Sequence, residues 1–119
     1  MKENKLVDLT KNFAVEIVKL CRILKEERGE YILFSQLLRS GTSIGANVHE
    51  GNYASSRADF INKLQIALKE CYETDYWLEV FQASGYLMED EFKRFHSDCS
   101  KIRKILTVSI NTAKNNELI

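Results

Sequence analysis

The feature that most constrains the fold is the absence of proline from a chain of 119 residues. Proline breaks helices because it lacks a backbone N–H and its ring clashes with the preceding turn. A chain without it can form long uninterrupted helices, whereas a β-rich fold needs more turn-forming residues. The length fits one domain, so we expect residues 1–119 to form a single all-α domain.

Apolar residues recur at steps of three and four, the spacing that places side chains on one helical face. Gly29 is a natural C-cap for the first helix, and Ser56 with Asp59 resembles a capping box for the third. The predicted helices cover residues 6–28, residues 30–51, a segment that follows Ser55 and ends at Gly85, and a segment from Glu89, with a frayed tail at 115–119. Short connections between them predict an antiparallel up-down-up-down four-helix bundle.

The fourth helix carries the most regular apolar stripe, which repeats every seven residues. Its predicted members are Phe92, Phe95, Cys99, Ile102, Leu106, Ser109 and Ala113. Cys21 and Cys71 lie on the apolar stripes of other helices. Three cysteines without a CxxC pair are expected to be buried free thiols, rather than a disulfide framework or a metal site.

The charge balance limits the functions open to the chain. Its 17 basic and 17 acidic residues give a formal net charge of zero, which argues against coating nucleic acid through bulk charge. No apolar stretch approaches the length of a membrane span, and the N-terminus does not resemble a signal-peptide core. We therefore expect a cytoplasmic protein with no membrane contact and no evident small-molecule substrate.

The second helix carries a polar stripe that core packing does not require. Gly41 and Gly45 lie one turn apart beside it and leave a groove where another backbone can come close. Each glycine inside a helix costs roughly 1 kcal/mol relative to alanine, so close helix packing is expected to offset that cost. The members of the polar stripe are Gln36, Arg39, Ser43, Asn47 and Glu50.

The third helix carries a matching acidic face. Glu70, Glu73 and Trp77 share that face, and Arg39 lies level with Glu70 if the two helices run antiparallel about a turn near 53–54. A solvated face with incidental ion pairs is the alternative, because surface pairs contribute little. The predicted cross-helix ion pairs are Arg39 with Glu70 or Glu73, and Glu50 with Arg57.

The motifs of helical-bundle enzymes are not found in the sequence. A di-iron site requires two Glu-x-x-His motifs, but Ala46 stands three residues before His49 and Lys93 three before His96. The Arg-to-His spacing of HEPN-type RNases is also missing, and His49-Glu50 does not extend to His-Glu-x-x-His. We predict a protein that is not an enzyme and that has no metal or cofactor, with both histidines at a surface or interface.

Glycine and polar residues recur in a specific order along the middle of the chain. Segments 36–51, 59–60, 67–70 and 73–78, together with Leu64, closely resemble the bacterial four-helix-bundle family named after 23S rRNA intervening sequences. The resemblance covers nearly the whole chain. It implies a small helical bundle that assembles into ring-like pentamers and to which no enzymatic activity is attached. Some members are encoded inside insertions in 23S rRNA genes.

The resemblance also extends to particular residues. The positions that match the family's signature are Arg39, Ser43, Asn47, Glu50, Glu70 and Glu73. We interpret them as structural or interface residues, since polar networks between helices fix their register. The family is distantly similar to accessory proteins of diversity-generating retroelements, which bind nucleic acid and a reverse transcriptase.

Two functions remain open at this point. The first is a homo-oligomeric scaffold, because five aromatic residues exceed what a four-helix core can hold: Tyr31, Phe34, Tyr72, Tyr76 and Trp77. The second is an accessory protein that binds RNA or DNA through a basic strip on the fourth helix, where Asp98 is the acidic neighbour. A solvated helix face would give the same pattern. The residues of the strip are Lys93, Arg94, Lys101, Arg103, Lys104 and Lys114.

Overall fold

Four long helices pack side by side in chain order. The computed structural model describes residues 2–29 and 31–117, with side chains for 5–29 and 31–115. Each helix packs against the next, and α4 returns to α1 along the sparsest of the four interfaces. The all-α up-down-up-down bundle is therefore confirmed, as a rod of 52 × 22 × 20 Å. The helices are α1 (Lys2–Arg28), α2 (Tyr31–Gly51), α3 (Arg57–Ala83) and α4 (Glu89–Glu117).

The helix ends follow the predicted capping signals. Gly29 adopts a φ of 72°, which only glycine accepts readily, and its N–H donates to the Lys25 carbonyl at 2.9 Å. At the start of α3 the Asp59 N–H donates to Ser56 Oγ at 3.1 Å. Asp59 Oδ2 in turn accepts from the Ser55 N–H at 3.1 Å, so the box closes one residue earlier than its usual form.

Two of the predicted helix boundaries, the start of α2 and the end of α4, lie at the limits of the described residues. Residue 30, the predicted start of the second helix, lies outside the described residues, and α2 is described from Tyr31. α4 is helical as far as Glu117, so it extends into the segment from residue 115 for which fraying stays a prediction. Residues 118–119 lie outside the described part of the chain.

The core runs along the whole bundle. In α4 the predicted stripe residues Phe95, Cys99 and Leu106 are fully buried, but Ile110 is buried in place of Ser109. A straight α-helix has 3.6 residues per turn and drifts away from a strict seven-residue repeat. Ala113 is buried as predicted, so the departure from the seven-residue repeat near the end of the helix is confined to this one position. Phe92, at the start of the predicted stripe, is only partly buried.

The aromatic residues divide between core and surface, as expected from their number. Phe34 is buried, with its ring edge-to-face on Phe81 at 5.3 Å. Trp77 is partly buried. Tyr31, Tyr72 and Tyr76 are each 56% exposed, and they leave apolar surface on the outside of the bundle.

The three cysteines are free and buried, as predicted. Burial raises the pKa of the Cys21 thiol to about 12, so this thiol stays protonated at neutral pH. Among the side chains of residues 5–29 and 31–115, no group of three or more His, Cys, Asp or Glu residues is placed to hold a metal ion. None of the helices, as far as they are described, is both long enough and apolar enough to cross a membrane.

Candidate functional site

A polar network joins α2 to α3 near the middle of the bundle. Arg39 Nη1 donates to Glu70 Oε2 at 2.9 Å, and Nη2 donates to Glu73 Oε2. The indole Nε1 of Trp77 donates to the same Glu73 oxygen at 3.1 Å. One guanidinium therefore bridges two carboxylates that lie about one turn apart on α3, and this places the predicted Arg39 partners in a single cluster.

The network is buried on one side and open on the other. Glu70 is only 8% exposed, whereas the Arg39 side chain is 50% exposed and covers it. A carboxylate taken out of water requires a charged or hydrogen-bonding partner, and Arg39 supplies it. The hydrogen bond from Arg39, supported by the one from Trp77, holds the pKa of Glu73 below its ordinary value. Glu73 in turn raises the pKa of Arg39.

A second polar contact lies beneath this network and was not predicted. Thr74 Oγ1 donates to Ser40 Oγ at 3.1 Å, and both residues are fully buried. The sequence did contain a signal for it. Ser40 lies three residues after Leu37 on the apolar stripe of α2, and Thr74 lies three residues after Cys71 on that of α3. A hydroxyl at a core position of two adjacent helices indicates a buried hydrogen bond between them.

The next residues of the polar stripe bond within their own helix. Ser43 Oγ donates to the Arg39 carbonyl at 2.6 Å, and Asn47 Nδ2 donates to the Ser43 carbonyl at 2.9 Å. Their side chains therefore donate to backbone carbonyls of α2 instead of to groups on α3. Short polar side chains in helices commonly bond in this way. In the described structure these two residues make no side-chain hydrogen bond to α3, so the cross-helix network is shorter than the stripe.

The predicted pair of Glu50 with Arg57 is wrong. Glu50 Oε1 lies 3.3 Å from Lys63 Nζ instead, and Arg57 has no carboxylate partner among the described ion pairs. The last turn of α2 faces the second turn of α3, since a side chain on Gly51 would meet Phe60 and Lys63. Residues 52–56 form the connection, so α3 passes α2 later than a tight turn at 53–54 implies.

The two glycines of α2 lie on the opposite side of the helix from the Arg39 network. A Cβ on Gly41 would lie 2.9 Å from Ile17 Cγ2, and one on Gly45 would lie 3.1 Å from the Thr10 carbonyl oxygen. Both distances are shorter than ordinary contacts. The close approach expected from these glycines is therefore made to α1, whereas the polar stripe faces α3.

The predicted basic strip on α4 is dispersed in three dimensions. Arg94 points to α1, where Nη1 lies 3.2 Å from Glu16 Oε1. Arg103 points to α3 and lies over the Tyr72 ring, 5.8 Å from its centroid. Sequence neighbours alone suggested Asp98 as the acidic neighbour, but Glu16 reaches the strip from another helix.

The remaining cations of the strip differ in their partners. Lys93 Nζ lies 3.4 Å from Glu89 Oε1 on the same helix. Lys101, Lys104 and Lys114 are exposed and have no carboxylate partner among the described ion pairs. The strip thus keeps these three lysines as cations open to a partner.

The site holds charges in place and does not bring a nucleophile next to a base. Arg39 is engaged by two carboxylates. The histidines lie away from it, with His49 against Tyr53 and His96 stacked on Phe92. Buried polar networks of this kind fix the register of two helices. The fold and site therefore define a small four-helix-bundle protein with one partly buried charged cluster between α2 and α3.

Comparison with known proteins agrees with this class. The family model described as 23S rRNA-intervening sequence protein matches residues 2–108, and the chain belongs to that family. A crystal structure of a protein of unknown function from the S23 ribosomal protein family of Bacteroides thetaiotaomicron is similar to it, with 47% identity and a TM-score of 0.91. The match covers 93% of this chain and 99% of that one. A comparison with curated proteins found no match.

Proposed function

We propose that the chain is a non-enzymatic, cytoplasmic, homo-oligomeric bundle that acts as an assembly or binding module. The observation that carries the proposal is the apolar surface left on the outside of the bundle. Tyr72 and Tyr76 lie one turn apart on α3 and are each 56% exposed. Exposed apolar and aromatic side chains that cluster on one face are typical of protein–protein interfaces. A second copy of the chain covers them in this proposal.

The proposed assembly is a pentamer, and the number five rests on family resemblance. Size-exclusion chromatography with light scattering tests it directly. We expect a mass of five times the 13.8 kDa chain at micromolar concentration. Replacing Tyr72 and Tyr76 by glutamate is expected to lower that mass, since charges do not pack in an apolar interface. Tyr53→Glu is the matched control, because Tyr53 is 78% exposed and lies in a connection. A monomeric wild type contradicts the proposal.

The second candidate is an accessory protein that binds RNA or DNA. It is favoured by Lys101, Lys104 and Lys114, exposed cations of α4 without a carboxylate partner among the described ion pairs. A ring would repeat these cations and strengthen their field, which a neutral monomer does not provide. The contacts would be to phosphates, so little sequence preference is expected.

Fluorescence anisotropy across a salt series tests this candidate. Each phosphate neutralised contributes a log–log slope of about −0.7 to −0.9. Replacing Lys101, Lys104 and Lys114 by glutamine is expected to flatten the slope without unfolding the bundle, since these three lysines are exposed and lie off the buried stripe of α4. Lys93→Gln is the control. Absence of binding at low salt would reject this candidate. An unchanged slope in the triple variant would show that the nucleic acid contacts a surface other than these lysines of α4.

A further inference from the structure

Two depressions follow one another along the outer seam between α1 and α2. The first has a volume of ≈ 230 Å³ and is lined by Val18, Tyr31 and Leu38, with Arg22 and Lys25 at its rim. Val18 is 43% exposed and Tyr31 is 56% exposed. This half of the seam is therefore an apolar surface that is open to solvent and bordered by cations.

The second depression continues toward the other end of the bundle. Its volume is ≈ 240 Å³, and its lining includes Val7, Ala14 and Ala46, with Lys11 and His49 beside them. Ala14 lies one turn from Val18, so the two depressions lie end to end along α1, and together they are called here the α1–α2 groove.

Small side chains explain why the seam is concave. Gly45 allows α1 to approach closely, with the Thr10 carbonyl oxygen 3.1 Å from where a Cβ would lie. Ala14 and Ala46 flank that point and carry only methyl groups. The small residues Ala14, Gly45 and Ala46 thus account both for the close contact between the helices and for the depression beside it.

The charges along the groove all have one sign. Lys11, Arg22 and Lys25 line it, and none of the described residues that line it is acidic. None of these three cations forms an ion pair with a carboxylate in the described structure. Glu16, a carboxylate of α1, points instead to Arg94 on α4. In a chain of zero net charge, such a uniform row is a local feature with its own electrostatic field.

We propose that the α1–α2 groove binds an acidic amphipathic helix of a partner protein. From residue 7 to residue 25 the groove follows α1 for about 27 Å, the length of about five helical turns. A helix laid in a groove inserts apolar residues spaced by three and four. Carboxylates beside that apolar row would meet Lys11, Arg22 and Lys25, and complementary charge sets both orientation and association rate.

The lining favours a peptide helix over nucleic acid. Its floor consists of aliphatic side chains such as Val18 and Leu38, over which a phosphate backbone would lose hydration without gaining hydrogen bonds. The proposal rests on the binding role proposed above. It concerns a different surface from the Tyr72–Tyr76 face of α3, so oligomerisation and peptide binding can be tested separately.

A pair of designed peptides provides the probe. The first is a fluorescein-labelled amphipathic peptide of 18 residues with leucines spaced by three and four and glutamates flanking them. The second carries lysine in place of every glutamate. We expect saturable anisotropy changes with the Glu peptide, and affinity at least about tenfold lower for the Lys peptide. Equal binding of both peptides, or no binding of the Glu peptide at concentrations up to ~1 mM, overturns the proposal.

Two valine variants, one on α1 and one on α4, locate the binding surface. Val18→Glu places a carboxylate in the groove and is expected to weaken Glu-peptide binding at least about tenfold. Val108→Glu is the matched control, because Val108 is 53% exposed but lies on α4, which contributes no residue to the lining of the groove. Equal losses in the two variants overturn the proposal. Circular dichroism establishes that both variants remain helical.

A charge exchange tests the electrostatic part. The double variant Arg22→Glu, Lys25→Glu is expected to bind the Glu peptide more weakly and the Lys peptide more tightly than wild type does. Misfolding would not produce such a reversal of preference. Light scattering on Val18→Glu tests a second copy as the occupant, since a lower oligomer mass overturns the partner-helix proposal. Displacement of the bound Glu peptide by a single-stranded oligonucleotide also overturns it. A monomeric wild type that still binds the Glu peptide supports the groove and contradicts only the proposed oligomer.

Discussion

The two sides of α2 are held to their neighbours in different ways. Toward α1 the contact depends on shape, because Gly41 and Gly45 bring the helix so close that an added Cβ would lie 2.9 Å and 3.1 Å from the nearest atoms. Toward α3 the contact depends on polar pairing, with Arg39 between Glu70 and Glu73. The difference shows that a single helix can be held by close packing at glycines on one side and by ion pairs on the other.

The two contacts should respond differently to substitution. A close approach between backbones leaves no room for added volume. A polar contact accepts changes of volume but becomes unfavourable when one partner is removed and the other stays buried.

The largest effect is expected from Gly45→Leu. The added side chain would meet the Thr10 carbonyl, a backbone atom that has no rotamer to change, so α1 and α2 must separate. Overpacking of this kind costs roughly 1–3 kcal/mol, measured as a lower melting temperature by circular dichroism, with a change in oligomer size by light scattering. Ala58→Leu is the control, since Ala58 is exposed and lies on α3, away from the contact between α1 and α2. An unchanged melting temperature for Gly45→Leu contradicts the close-contact interpretation.

Removing the cation of the network is expected to have the next largest effect. Arg39→Met leaves Glu70, which is 8% exposed, without its partner. We expect the free energy of unfolding to fall by about 1–2 kcal/mol. This is the lower part of the range for an unpaired buried group, because Arg39 itself is half exposed. Urea denaturation measures it.

A double-mutant cycle shows whether that loss comes from the pair. Adding Glu70→Leu to Arg39→Met removes the unpaired charge and is expected to recover part of the stability. Arg57→Met is the control for losing an exposed arginine. Simple addition of the two losses would show that Arg39 does not stabilise α3 through Glu70.

Acid should remove the charge contribution and leave the glycine contact intact. Arg39 lowers the pKa of Glu73 from its ordinary value of 4.5, so the pair contributes stability above pH 4.5 and loses it as pH falls through the lowered pKa. The stability difference between wild type and Arg39→Met should therefore shrink from pH 7 to pH 3. The difference between wild type and Gly45→Leu should change little. A difference for Arg39→Met that widens in acid would contradict the assignment.

The smallest effect is expected at the end of α2. Glu50 pairs with Lys63 at 3.3 Å, but the Glu50 side chain is 56% exposed. Exposed ion pairs contribute little, so Glu50→Gln should change stability by less than about 0.5 kcal/mol. Lys63→Gln should give the same small change. A loss as large as that of Arg39→Met would mean that burial of Glu70 is not what distinguishes the two pairs.

The sequence predicted local structure well because helical periodicity and capping are local properties. Gly29 and Ser56 identified helix ends, since the backbone groups they satisfy lie within one turn. The antiparallel arrangement of α2 and α3 even gave the level of Arg39 against Glu70. The sequence did not predict Lys63 as the partner of Glu50. The length of the connection between α2 and α3 determines which turn of α3 lies opposite the last turn of α2.

Thus the sequence by itself determined the helices, their order and the residues available for polar contacts. Only the tertiary structure decided that the glycines of α2 meet α1 and that Glu50 meets Lys63 rather than Arg57. It also separated Arg94 from Arg103, which the sequence placed in one strip. The physical reason is that spacing along a chain fixes directions around one helix axis, whereas the rotation of each helix about that axis is set by packing of the whole core.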